Sequence, residues 1–296
     1  MIMAYVNRSI TCSNDDGFSI TFGERGLTPF LLVDAEGAYL AENKVTISEN
    51  TMSAGGAYQG SIAKVRNIVL TLKDLTNHVY NRNLIDALFK SGLPGTMVFK
   101  EDQNERQIKY YVESVNSTGQ YGARTYTVSL LCPDPFFYAM DDVMVTLAAW
   151  VGDFTFPHDF LEAREEFGYR SNQRLQNIQN EQAENGIGMN ITITAAGGVT
   201  NPSITRVESN ESIQIGTDSN PFTMSAGDVI TITTSDNDKH VYFTHNGVTT
   251  EINQYITEDS VFIQLMRGNN NIGYAAGVGV DQMSVRISYR LKYASA

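Results

Sequence analysis

The stretch Thr125-Tyr126-Thr127-Val128-Ser129-Leu130-Leu131-Cys132-Pro133-Asp134-Pro135-Phe136-Phe137-Tyr138 changes character halfway along its length. From 125 to 130 the large side chains alternate with hydroxyl residues, the period of a strand with one buried face. Two prolines then fall within three residues. A proline drives its predecessor out of the helical region and removes a backbone donor, so Cys132-Pro133-Asp134-Pro135 reads as a rigid connector. Charge shifts at the same place. Residues 1–138 hold 12 basic and 14 acidic side chains, whereas residues 139–296 hold 9 and 19. The chain of 296 residues is therefore read as two domains, 1–138 and 139–296, each long enough for its own core.

Upstream of the connector the pattern is mainly β. Gln107–Val112 and Thr125–Leu130 alternate and flank Asn116-Ser117-Thr118-Gly119, which predicts a hairpin. Val45–Ser48 and Thr96–Phe99 are shorter strand candidates, and Ile62–Leu72 reads as one long strand with a bulge near Arg66-Asn67. One helix is expected, capped by Asn83, with Leu84, Ile85, Leu88 and Phe89 on its core face and Gly92 and Pro94 as its stop. Between Gly37 and Gly60 a polar, glycine-rich stretch reads as an extended arm long enough to reach a neighbour.

Downstream, Asn190–Thr194, Asp228–Thr233 and Met283–Tyr289 alternate cleanly. Turn signals at Gly197-Gly198, Gly227, Asn246-Gly247 and Gly268–Asn271 separate the strands, a spacing that predicts an antiparallel sandwich. Residues 171–185, with Asn or Gln at eight of fifteen positions, fit a surface arm, a linker or a weak strand equally well.

Composition narrows the function. Apolar residues make up 42% and charged residues 18%, which is globular, and the formal charge of −12 opposes specific nucleic-acid binding. No apolar run approaches the ~20 residues of a membrane span, so no membrane insertion is expected. The first ten residues lack the basic and apolar regions of a secretory signal. Cys12 and Cys132 read as buried thiols of a reducing compartment.

No nucleophile-and-base motif, phosphate loop or dinucleotide fingerprint occurs, so no catalytic or cofactor-binding residue is assigned. Of the four histidines, His78, His158, His240 and His245, the spacing of the last two places them on opposite faces of a strand, and no Cys lies near either. No metal site is therefore expected. Asp159, Glu162, Glu165 and Glu166 read as a solvated acidic face. Asp236-Asn237-Asp238 lacks the glycine and the closing glutamate of a calcium loop.

Several blocks, in order, carry a family resemblance. The strand entering CPDPFFY (132–138) resembles the close of the first domain in the distal tail protein (Dit) family of long-tailed phages. FPHDFLEAREEFG (156–168) is similar to that family's entry to its second domain. Gly188–Ile193 with Val199–Ile204 resembles its strand-turn-NP block, and Gly227–Ile232 its G-D strand. Leu265–Asn270 resembles its L-x-x-G-x-N turn, and VRISYRLKY (285–293) its closing strand. The resemblance implies a mainly β chain. A β-rich first domain with one helix and an arm would be followed by a galectin-like sandwich.

It also implies a non-enzymatic structural protein of the virion tail tip, made in the host cytoplasm. Its partners would be five further copies in a hexameric ring, the tail tube protein, the tail hub protein and a receptor-binding protein. DNA would pass through the ring without being specifically bound. Asp134, Pro135, Phe136, Phe137 and Tyr138 are expected to set the inter-domain joint, with the aromatics as anchors and the prolines as stiffeners. A galectin-like fold also raises a carbohydrate-binding adhesion module as the alternative, with Trp150 as a sugar contact. Galectins read a galactoside with H-x-N-x-R, and this chain has Gly247 and Thr249 where Asn and Arg would follow His245.

Overall fold

The computed structural model describes residues 8–23, 29–49, 54–74, 76, 78–119, 124–147, 150–152, 168–170, 174–181, 183–184 and 186–296. The chain forms two compact units, Met1–Met140 with Lys292–Ala296, and Asp141–Leu291. The division lies two residues beyond the expected boundary, and the last five residues return to the first unit. The stretch read as one closing strand is consequently split. Met283–Tyr289 belongs to the second unit, and Lys292–Tyr293 pairs in the first.

The first unit is a closed barrel. Its strands are β1 (Arg8–Asn14), β2 (Ser19–Gly23), β3 (Phe30–Glu36), β6 (Arg66–Asp74), β7 (Pro94–Glu101), β8 (Asn104–Thr118) and β9 (Arg124–Cys132). They run in the order β8-β7-β1-β2-β3-β6-β9, and β9 pairs back on β8 to close the ring. The 15-residue length of β8 makes closure possible, because its first half pairs with β7 and its second half with β9. A register shift between Val112 and Ser114 bends the strand between those two tasks. The β8–β9 hairpin agrees with the alternation at 107–112 and 125–130.

Helix α1 (His78–Leu88) buries Ile85 and Leu88 in the barrel core, and Phe89 just beyond it stacks on Phe22 at 6.3 Å between ring centroids. The Asn14 amide donates to Ala87 O and Leu88 O, satisfying carbonyls that the last helical turn leaves open. Asn83 is not the cap, since the helix already begins at His78 and Asn83 is exposed within it.

Ile62–Leu72 is not one strand. β4 (Asn43–Glu49) and β5 (Gly56–Ala63) form a separate two-stranded hairpin, and β6 starts at Arg66 after the junction Lys64-Val65. The apparent phase change marks the passage from an exposed hairpin to a barrel strand. A short strand, β10 (Phe137–Ala139), pairs with β8 on one side and with Lys292–Tyr293 on the other.

The second unit is an antiparallel sandwich. Its strands are β11 (Val143–Thr146), β12 (Trp150–Gly152), β13 (Gly168–Arg170), β14 (Leu175–Asn180), β15 (Met189–Ala195), β16 (Val199–Arg206), β17 (Glu211–Gln214), β18 (Thr223–Met224), β19 (Val229–Ser235), β20 (Asp238–His245), β21 (Val248–Glu251), β22 (Gly268–Val278) and β23 (Met283–Tyr289). One sheet runs β11-β23-β15-β19-β20-β21 and the other β14-β22-β16-β17, with β18 beside β16 and β12 paired to β13. Ile191, Ile193, Ile230, Ile232, Val285 and Ile287 from the first sheet are fully buried, as are Ile204 and Ile272 from the second. Within 171–185 the structure decides for a strand at Leu175–Asn180, paired along its length with β22.

Candidate functional site

The motif residues singled out in the sequence prove to be turn locks. In Leu265-Met266-Arg267-Gly268-Asn269-Asn270 the Asn270 side chain is fully buried. Its amide donates to Met266 O at 2.8 Å, Gly268 O at 3.2 Å and Ile178 O at 3.3 Å, and its Oδ1 accepts from Met266 N at 2.8 Å. One asparagine thus ties the turn to β14, and Gly268 supplies the left-handed φ of 93° that the turn needs. Asn201 of the NP block itself adopts a φ of 51°, and its Oδ1 accepts from Phe222 N at 3.0 Å. Gly216 packs against that contact, where a Cβ would collide with Asn201 Oδ1 and lie 2.5 Å from Phe222 N.

In the G-D block the buried Asp228 carboxylate accepts from Ser225 N and from His245 Nδ1, both at 2.7 Å. A carboxylate only accepts, so Nδ1 carries the proton, and His245 Nε2 then accepts from Asn246 Nδ2 at 2.9 Å. One ring nitrogen is committed to Asp228 before β19 and the other to Asn246 in the β20–β21 turn, which leaves neither to read a sugar hydroxyl. His240, on the opposite face, pairs with Glu251 at 2.7 Å. Among the described residues, no group of three or more His, Cys, Asp and Glu side chains could hold a metal ion. No helix among them is long and apolar enough to cross a membrane. Trp150 begins β12, but its side chain lies outside the described residues, as do His158, Asp159, Glu162, Glu165 and Glu166.

The residues expected at the joint are all held in the first unit. Phe137 is fully buried beneath the Arg66 guanidinium, 4.9 Å from its ring centroid. Lys292 Nζ lies 4.5 Å over the Phe136 ring. Asp134 shapes the connector by accepting from Phe136 N at 3.1 Å and from the Tyr138 hydroxyl at 2.6 Å. Pro133 and Pro135 flank that carboxylate. Arg66 and Arg106, neither singled out from the sequence, hold the returning segment. No local pattern marks them, since β6 also carries Lys73 and Asp74 and β8 also carries Glu105, Lys109 and Glu113.

The β4–β5 hairpin exposes an apolar face among the described residues of the first unit. Every residue of β4 is exposed. Ile47 lies opposite Tyr58, and Val45 shares their face. Val45 is 52% exposed, Ile47 57% and Tyr58 68%, a degree of wetting that isolated β-branched and aromatic side chains rarely keep in an assembled state. This is the arm expected between Gly37 and Gly60, extended to Ala63.

Comparison with known proteins agrees with this picture. Residues 183–293 match the family described as siphovirus-type tail component, C-terminal domain. The Dit protein of phage SPP1, titled a paradigm of the hub adsorption apparatus in phages infecting Gram-positive hosts, has a similar structure at 13% identity. The similarity covers 96% of this chain and 99% of that one, with a TM-score of 0.67. A chain of the phage P2 baseplate in its activated conformation with Ca is similar at 11% identity over 99% and 100%, with a TM-score of 0.48. No curated protein matches. Residues 183–293 are therefore similar to the C-terminal domain of siphovirus-type tail components, on a chain whose mainly β fold resembles that of SPP1 Dit.

Proposed function

We propose that this chain is a non-enzymatic structural protein of a phage tail tip, whose first unit assembles as a six-membered ring between the tail tube and the tail hub. In this reading the second unit carries adhesion parts such as a receptor-binding protein, and DNA passes through the ring. The observation that carries the assembly is the β4–β5 arm, a hairpin exposed on both strands with Val45, Ile47 and Tyr58 on one face. Closed rotational symmetry requires each copy to offer two complementary patches, and an arm reaching a neighbour is one of them. Folding of the monomer does not need these side chains, so their retention fits burial against another copy.

Light scattering tests this. The 32.7 kDa chain is expected to form a species of ~196 kDa, six copies in a closed ring. The double variant Ile47→Ser/Tyr58→Ser is expected to keep its fold and stay at the mass of one chain. A wild type that remains at 32.7 kDa at high concentration, or a double variant that assembles as the wild type does, refutes the reading.

A further inference from the structure

The segment Lys292–Ala296 lies in a groove built entirely from the first unit. Two of its residues pair with β10, Tyr293 opposite Phe137 and Lys292 opposite Tyr138. The Arg106 guanidinium stacks on the Tyr293 ring at 3.9 Å and donates to Ser295 O at 2.8 Å and Ala296 O at 3.3 Å. Arg66, almost wholly buried, donates one Nη to Ala294 O and the other to Gly37 O at 3.1 Å and Ala38 O at 3.0 Å. Ala296 N in turn donates to Ala38 O at 3.1 Å. Gly37 and Ala38 follow β3 and lead into the arm, so one guanidinium and one backbone bond connect the segment to the arm's root.

We propose that the first unit carries a peptide-binding groove for an extended segment of the sequence Lys-Tyr-Ala-Ser-Ala, and that occupancy of this groove fixes the root of the β4–β5 arm. The chemistry selects its ligand. A planar cation over a ring needs an aromatic residue at the second position, here Tyr293. Donors aimed at three successive backbone carbonyls need an extended, main-chain ligand rather than a charged side chain. Strand pairing with β10 sets its direction, the mode by which sheet edges generally take up peptides. In the chain the ligand is its own segment, which is synthesised after residues 141–291. The groove is therefore filled only once the second unit has been made, and the arm is fixed last.

The inference about the arm rests on the ring reading, but the groove does not. The test uses the chain lacking residues 292–296, with its fold checked by circular dichroism, titrated with the acetylated and amidated peptide Lys-Tyr-Ala-Ser-Ala in a calorimeter. Saturable binding is expected, weakened at least tenfold by Arg106→Ala and by replacing the peptide's Tyr with Ala. Slower amide exchange at 37–40 is expected when peptide is bound. Absence of binding at millimolar peptide, or equal binding by Arg106→Ala, overturns the groove. Unchanged exchange at 37–40 overturns the link to the arm.

If the shortened chain does not fold, the full-length variant Arg106→Ala/Tyr293→Ala answers the same question. Faster exchange at Ala38 and Ala296 with unchanged exchange in β15 and β23 supports the groove, and no change overturns it. Peptide binding without any assembly of the wild type would refute the ring alone, so the two failures are distinguishable.

Discussion

Replacing Asn270 tests whether the family's L-x-x-G-x-N signature is a structural lock. Its side chain makes four hydrogen bonds in a fully buried position. Each buried bond is worth about 1 kcal/mol net, and each polar group left without a partner costs about 1–3 kcal/mol. Two of the four bonds are short at 2.8 Å and two are longer at 3.2 and 3.3 Å. Asn270→Ala is therefore expected to destabilise the second unit by ~3–4 kcal/mol. Asn270→Asp keeps the shape and the acceptor for Met266 N, but turns the donor that faces three carbonyls into a further acceptor. At pH 7 it should cost more than the alanine, although alanine removes more atoms.

At pH 4 the order should narrow. Burial among carbonyls raises the pKa of an aspartate introduced there, so the folded state holds a proton that the unfolded chain releases above its usual value of about 3.9. Stability of this variant is present below that value and falls as pH rises. Urea unfolding followed by circular dichroism, with amide exchange in β14 and β22, measures the effect. An Asn270→Asp protein as stable as wild type at pH 7, or an alanine variant within 1 kcal/mol of it, would refute the donor argument.

The buried thiols give a second pH-dependent prediction. Burial raises the Cys12 pKa beyond the usual thiol range and pushes Cys132 up to about 12, although Arg66 beside Cys132 pulls the other way. Both stay protonated in the fold while the unfolded chain ionises near 9.0. Their contribution to stability is thus complete below pH 9 and declines as pH climbs from there towards 12. A thiol reagent at pH 8 should label neither until denaturant is added, and labelling of both at the rate of a free thiol would contradict the burial. For the proposed inter-domain joint, Phe136→Ala/Phe137→Ala should speed proteolysis between the two units. Unchanged cleavage would remove Asp134–Tyr138 from that role.

What the sequence disclosed follows from which faces are buried. At 189–194 and 283–289 one face meets the sandwich core and the other meets water, so alternation was plain. β14 could not be told from an arm or a linker because its two inward side chains are Ile178 and Asn180, and the second is a polar residue satisfied by Glu184 O and Met266 O. The start of α1 was hidden for the opposite reason, since Val79 and Tyr80 are apolar yet point to solvent. The β5–β6 junction was misread because β5 runs into β6 after only Lys64 and Val65, and the change from one sheet to the other leaves no turn signal there. Closure of the barrel depends on β8 serving two partners along its length, and the return of Lys292–Tyr293 on pairing across more than a hundred residues, neither of which a local period encodes.

The residues that lock the turns of the second unit are thus a different set from those that would carry the proposed assembly. Asn201, Gly216, Asp228, Gly268 and Asn270 hold turns in place, and each is explained by a hydrogen bond or by backbone geometry. A tail component that works by assembly needs a rigid scaffold more than a reactive site, and turn locks of this kind supply rigidity. In the proposed ring, recognition between copies would fall to the exposed β4–β5 arm. A fold similar to that of SPP1 Dit at 13% identity is held here by turns fixed through single buried side chains.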